Sequence, residues 1–270
     1  MPYFDQPLSN IALNASFVVP SFLEDCFEFV IEHADVEGIF RVPGNDTEVK
    51  RLISIIDATG NVEIHPNTYV FNICNVISRF IKRIPEHLLI DKNVSQWKGD
   101  LTLEQVQKKI NDLPVLNRAF LSRIFAFFIT IASHSKSNLM GVSNLSKILS
   151  AVLIEDKKDP YWLLKPEVVA YFFTDYHKIF NSMPGLTSDG QFMTKDEFQN
   201  SVGDIFNAFF CQSYANHKPE ISAVKQEKQK KMCRIIETSK VTWDEMFTIL
   251  LHPDPNRLND NSDAHLTPIS

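Results

Sequence analysis

The residue with the clearest chemical potential is Arg41, in the stretch Glu37-Gly38-Ile39-Phe40-Arg41-Val42-Pro43-Gly44-Asn45. A guanidinium is charged at every physiological pH and presents its N–H donors in a planar fork that fits phosphate and carboxylate oxygens. Gly38 and Gly44 can take backbone angles closed to other residues, so the chain can turn sharply at both ends. Ile39 and Phe40 between them are expected to anchor in a core. Arg41 would then be a long cation on a loop with a pinned base, placed to push charge into another molecule's site. The competing reading is an exposed arginine in a surface ion pair, and the stretch alone leaves both open.

Other chemistry is absent from the sequence. There is no glycine-rich phosphate loop with a lysine, no GxSxG and no HExxH, and the histidines are scattered with no pair at i,i+4. Cys26, Cys74, Cys211 and Cys233 have no CxxC spacing, so they suggest neither a zinc site nor a dense disulfide framework, and a reducing compartment is expected. Asp189-Gly190-Gln191-Phe192 looks like part of a calcium loop. Counting Gly190 as the sixth position puts Gly185 and Thr187 at the first and third, where oxygen ligands are needed, so no metal site is expected. The net charge of −6 argues against a nucleic-acid partner. The start, Met-Pro-Tyr-Phe-Asp, is not a signal-peptide pattern, and a cytoplasmic setting is expected. The longest apolar run, Ile124 to Ala132, is too short to span a bilayer.

The elements that must hold Arg41 are helical. A composition 44% hydrophobic, with 21 phenylalanines, gives ample core material. Residues 1 to 20, punctuated by Pro2, Pro7 and Pro20, read as an extended arm. Ser21-Phe22-Leu23-Glu24 reads as a capping box, followed by Phe22, Leu23, Cys26, Phe27, Val30 and Ile31 at helical spacing. Asn45 to Glu48 opens a second helix with apolar Val49, Leu52, Ile53 and Ile56, and Gly60 ends it. Arg41 therefore lies between two amphipathic helices. A third helix is predicted over 68–84 and stops before Pro85. Thr102 to Gln105 caps a fourth. A fifth runs from about Leu113-Pro114 to about Ser133, its second half apolar nearly all round, as for the middle of a bundle. Ser143 or Asn144 is expected to cap the next, and Pro166 to start one more, carrying Val168, Val169, Phe172, Phe173, Tyr176, Ile179 and Phe180. Further helices are predicted from Thr194, from Pro219 with the polar run Lys225 to Lys231, and from Thr242. The polar run reads as a solvated face or, less simply, as a contact with anionic membrane.

Four of these stretches, in order, resemble the RhoGAP domain, the Rho-family GTPase-activating module. Glu37, Gly38, Ile39, Phe40, Arg41, Val42 and Gly44 match its arginine-finger loop, with Pro43 where a small polar residue is usual. Phe80-Ile81-Lys82-Arg83-Ile84-Pro85-Glu86-His87-Leu88-Leu89 is similar to its second motif, with Lys82 where arginine is usual. Ser78 falls where a GTPase-contacting lysine is usual, and Arg79 is next door but rotated around the helix. Leu113-Pro114 through Asn117 to Leu121 resembles the start of the family's central helix. Asn138 to Leu145 resembles Asn-x-Met-x-x-x-Asn-Leu, the family's Phe-Gly-Pro being replaced by Leu149-Ser150-Ala151.

The resemblance covers roughly residues 4 to 182. It implies an all-α, RhoGAP-like helical bundle over 1–183 and says nothing of the remainder, which the caps and apolar spacing above mark as an additional C-terminal helical extension, 184–270, ending in a loose tail. It implies that Arg41 is the catalytic arginine lent to the partner, and that Lys82, Asn144 and the Ser78 position face the partner. That partner would be a GTP-bound Rho-family small GTPase, which carries the GTP and Mg²⁺, so the chain needs no cofactor and is a regulator rather than an enzyme. Membrane contact would be indirect, through the GTPase. Retention of Arg41 favours an activator. Loss of lysine at Ser78 favours weak activity or a non-catalytic binding module of the same fold. A helical scaffold without GTPase contact is the third reading.

Overall fold

A computed structural model describes residues 2–15, 17–181 and 185–203, all within one unit, Met1–Phe210. The predicted helices from Pro219 and Thr242, and the run Lys225 to Lys231, lie outside the described residues. The described elements are α1 (Leu8–Ala15), α2 (Ser21–Glu32), α3 (Asp46–Thr59), α4 (Val70–Lys82), a 3-10 segment (Asp91–Trp97), α5 (Leu103–Asn111), α6 (Val115–Ser133), α7 (Ser135–Asn138), α8 (Val142–Ser150), α9 (Pro166–Thr174) and α10 (Tyr176–Ile179). Residues 195–203 are also helical. Among the described residues the only β pairing is an isolated bridge between Leu186 and Phe192.

The central member is α6. From Leu116 to Phe128 every side chain except Arg118 is buried, so the helix has no solvent face to make amphipathic. It is long and apolar enough to cross a membrane by length and composition, but 72% of that window is buried inside the protein. Phe125 stacks on Phe172 and meets Phe173 edge-on, and Phe127 stacks on Phe27. The helix thus joins α2 on one side to α9 on the other. α4 packs on both α2 and α3, and α8 packs on α9 and α6.

Local signals set several boundaries as expected. The Asn45 side chain accepts the Glu48 N–H at 3.1 Å, and Gly60 closes α3 with φ 77°. Thr102 and Gln105 form a reciprocal capping box on α5. Pro166 stands in the first turn of α9. Thr194 and Glu197 exchange hydrogen bonds at the start of 195–203.

Other expectations are corrected. The N-terminal arm is not extended throughout, because Leu8, Ile11 and Ala12 fall on one buried face and form α1. Pro7 sits just before the first turn, where its missing N–H costs nothing, and its carbonyl accepts the Ile11 N–H. The Leu8 N–H is capped from afar by the Glu86 carboxylate at 2.7 Å. Ser21-Phe22-Leu23-Glu24 is not a capping box, since the helix follows Pro20 with no side-chain cap. Glu24 is turned inward and paired with Arg123, with both side chains fully buried. Neither Ser143 nor Asn144 caps α8. Gly141 precedes the helix, and Asn144 lies in its first turn. The helix predicted from Pro166 is broken at Asp175, which has φ −119°.

Residues 182–184, where the sequence places the domain boundary, lie outside the described residues. The stretch beyond them seats on the bundle. Gly185 N–H donates to the Tyr176 hydroxyl at 2.6 Å, and Phe198 meets Phe17 edge-on. Arg123 Nη1 donates to the Met193 carbonyl at 2.8 Å, while the guanidinium lies 3.8 Å from the Phe192 ring centroid and 4.8 Å from that of Phe198.

Candidate functional site: the Arg41 loop

α2 delivers the chain into residues 33–45, which α3 receives. The loop closes on itself through Arg41 N–H and Val42 N–H, both donating to the Gly38 carbonyl at 2.8 Å. Gly38 has φ 77°, and a β-carbon there would lie 2.8 Å from Val42 Cγ2, so both conformation and space demand glycine. Gly44 needs correction. It does not occupy the left-handed region; it is required because the chain grazes α4. A β-carbon there would lie 2.7 Å from Asn72 Oδ1 and 2.8 Å from the Phe71 carbonyl oxygen.

The left-handed residue between the glycines is Phe40, at φ 63°. That conformation costs a non-glycine residue about 1–2 kcal/mol, so surrounding structure must hold it. Ile39 is fully buried beside it. The Phe40 ring is half-buried, 4.9 Å from the Phe128 ring and 5.8 Å from the Phe127 ring. The apolar pair is thus the anchor the sequence implied, and the strained turn at Phe40 carries the next residue to the surface.

Arg41 is that residue. Its side chain is 52% exposed, and Nη2 lies 3.6 Å from Glu37 Oε1, itself 67% exposed. An ion pair this open is worth at most about 1 kcal/mol, so the guanidinium is lightly parked. It lies back over Gly38, where a β-carbon would sit 3.4 Å from Nη2.

Asn138, fully buried, fastens the N-terminal side of the loop. Its carbonyl accepts the Gly38 N–H at 2.9 Å, and its side chain donates to Ala34 O at 2.7 Å and Ile131 O at 2.9 Å and accepts from Met140 N–H at 2.7 Å. Asn138 opens the Asn-x-Met-x-x-x-Asn-Leu stretch, a pattern that by itself does not reveal this fastening role. The next residue, Leu139, adopts φ 60° and leaves its apolar side chain 48% exposed beside the loop, a feature also missed. Asn144 is exposed, and its Nδ2 donates to the Leu139 carbonyl at 3.1 Å. The Arg41 loop and the turn that leads into α8, to which Asn144 is hydrogen-bonded, are thus both tied to one buried asparagine.

α4 braces the other side. Burial pushes the Cys74 thiol up to about 12, partly offset by a backbone hydrogen bond from Phe40, which places the loop against this helix. Ser78 and Lys82 lie one and two turns farther along, roughly 6 and 12 Å at 1.5 Å per residue. Ser78 is half-buried, and its hydroxyl donates back to the Cys74 carbonyl at 2.9 Å. Lys82 is exposed and makes no ion pair among the described residues. Arg79 is turned to Asp46 at 2.5 Å, where Lys50 and Arg79 together hold the Asp46 carboxyl below the usual carboxylate range. Arg79 therefore braces α3 rather than standing in for the lysine usual at position 78.

The same arrangement has relatives. The family model described as RhoGAP domain matches residues 20–158, just over half of the chain. The chain belongs to the RhoGAP domain family. The match includes the Arg41 loop, α4 and α8. The chain is 32% identical over 148 residues to Rho GTPase-activating protein gacJ of Dictyostelium discoideum, and 30% identical over 162 residues to Rho GTPase-activating protein 25 of Homo sapiens. Those alignments take in 51% and 55% of this chain but only 16% and 25% of the relatives' own lengths. The fold is similar to the crystal structure of human Rho GTPase activating protein 15. There the TM-score is 0.59 at 21% identity, covering 66% of this chain and 92% of that one. These findings bear out the all-α RhoGAP bundle expected from the sequence. The RhoGAP match ends at residue 158, so α9, α10 and the seat of 185–203 on Arg123 lie beyond it.

Proposed function

We propose that this RhoGAP domain accelerates GTP hydrolysis by a Rho-type small GTPase, with Arg41 entering the partner's nucleotide site. The observation that carries the reading is the mounting of Arg41. It is half-exposed and weakly paired, on a loop anchored by Ile39 and Phe40 and fastened on both sides. A GTPase hydrolyses slowly because charge grows on the transferring phosphoryl group without enough compensation. A guanidinium supplied in trans provides it, at roughly 10³–10⁵ in rate, or about 4–7 kcal/mol. Releasing Arg41 from Glu37 costs at most about 1 kcal/mol, so the balance favours insertion. The partner supplies GTP, Mg²⁺ and the attacking water, and Lys82 and Asn144 add polar contacts from either flank.

The test is single-turnover GTP hydrolysis across a panel of Rho-type GTPases, with wild type and Arg41→Ala. Acceleration by wild type that falls roughly 10³-fold or more in the variant, while binding persists, supports the reading. Equal rates with and without Arg41 refute it. One observation favours a second reading, a GTPase-binding module of low activity. The Ser78 hydroxyl is turned back onto its own helix where the family usually offers a lysine. That reading predicts binding to the GTP-loaded partner with little or no acceleration.

A further inference from the structure

The C-terminal end of the Arg41 loop is held by a side chain to which neither the helical pattern nor the family resemblance assigned a role. Asn72 lies in the first turn of α4, 6% exposed, a buried polar residue among Val70, Phe71, Ile73 and Cys74. A buried amide is costly unless it is hydrogen-bonded. Its Oδ1 accepts the backbone N–H of Asn45 at 2.8 Å. Asn45 is where the loop becomes helix, and its own side chain caps α3 at Glu48. The contact leaves no slack, because Gly44 passes so close that a β-carbon there would lie 2.7 Å from the same Oδ1. The opposite end of the loop is fixed by Asn138, and the middle by Phe40. Arg41 stands between these fixed points.

We infer that Asn72 is a positioning residue for Arg41, setting where the loop passes α4 on its way into α3 and so the reach of the guanidinium toward the partner's phosphates. The inference rests on the reading of Arg41 given above. If Oδ1 is lost, Asn45 N–H loses its acceptor and the segment 42–45 is released from α4, while Ile39 and Phe40 stay anchored. Arg41 then samples a wider range of positions. A displacement of about 1 Å in a group aimed at a reacting centre can cost up to 10²-fold in rate. Binding, carried by the wider surface, changes little. An aspartate at 72 keeps an oxygen acceptor in the same place, and the Asn45 N–H and the α4 N-terminus offset part of the cost of its buried charge.

The experiment compares Asn72→Ala, Asn72→Asp, Arg41→Ala and the double variant Asn72→Ala/Arg41→Ala in the full chain. Single-turnover hydrolysis is measured at saturating protein, with binding measured to the GTPase loaded with a non-hydrolysable GTP analogue. Asn72→Ala is expected to lower the maximal rate about 10- to 100-fold with affinity within about threefold of wild type. Asn72→Asp should recover most of the rate, and the double variant should be no slower than Arg41→Ala alone. Amide hydrogen exchange in the protein alone should rise at residues 42–45 in Asn72→Ala and stay unchanged in α6. If Arg41→Ala is slow while Asn72→Ala matches wild type, this inference fails and the Arg41 reading stands. Additive losses in the double variant also overturn it, since Asn72 would then act other than through Arg41. If Arg41→Ala leaves the rate unchanged, both fall together.

Discussion

Replacing Arg123 with methionine removes one half of an ion pair that has no access to water. The guanidinium grips Glu24 through Nε, at 3.0 and 3.2 Å from the two carboxylate oxygens, and through Nη2 at 2.7 Å. Both side chains are fully buried. Methionine fills a similar volume but strands the carboxylate, and breaking a buried pair this way costs about 3–5 kcal/mol. The Met193 carbonyl also loses its donor, at roughly a further 1 kcal/mol. Against a typical total of about 5–15 kcal/mol, the variant should remain folded but lose a large fraction of its stability.

The loss should depend on pH with a definite sign. Burial raises the Glu24 carboxyl above its ordinary 4.5, with Arg123 pulling the other way. Without Arg123 the folded pKa rises further, so the fold favours the protonated form. Stability then falls as pH increases through the window from 4.5 upward, by up to about 1.4 kcal/mol per pH unit. The destabilisation by Arg123→Met should therefore be small near pH 4.5 and largest near pH 8. Urea unfolding of the full chain at a series of pH values reads this directly. Glu24→Leu/Arg123→Met, which removes both charges, should be milder at pH 8 than the single variant by about 2 kcal/mol. A cost for Arg123→Met below about 1 kcal/mol, or one independent of pH, would refute the argument.

Two further outcomes follow from the loop and its flank. Gly44→Ala should destabilise by about 1–3 kcal/mol, because the new methyl meets the Phe71 carbonyl oxygen and Asn72 Cα of the α4 backbone as well as the Asn72 side chain. Thermal unfolding checks the stability, and GTP hydrolysis with a responsive GTPase should slow as the loop shifts; an unchanged melting temperature would count against the close approach. Ser78→Lys restores a cation one turn before Lys82 and should tighten binding to a GTP-loaded partner by up to about fivefold at low salt, with the gain fading as salt rises. Calorimetric titration at two ionic strengths measures it, and no gain at low salt would argue that this part of α4 does not face the partner.

Much of the bundle was legible because its signals are local. Helical spacing of apolar residues marks α2, α3 and α4, near-continuous apolarity marks α6, and the caps at Asn45, Gly60 and Thr102 involve neighbours a few residues apart, so short stretches of chain contain both partners. The Arg41 loop was legible for the same reason, as glycine, anchor and cation follow one another directly. What the sequence could not decide was which partner a residue meets when that partner is far along the chain. Glu24 has a serine three residues before it and reads as a cap, yet its partner is Arg123, 99 residues away. Gly44 reads as a flexible turn, yet its need is set by the nearness of Asn72 and Phe71. Asn72 and Asn138 look like ordinary polar residues until packing buries them, and burial is what makes their hydrogen bonds obligatory. Sequence therefore determined most of the helices, though not α1 or the break at Asp175, and the identity of the protruding cation. Tertiary structure decided what holds that cation in place, because a desolvated polar group takes whatever partner the packing of distant segments brings within reach.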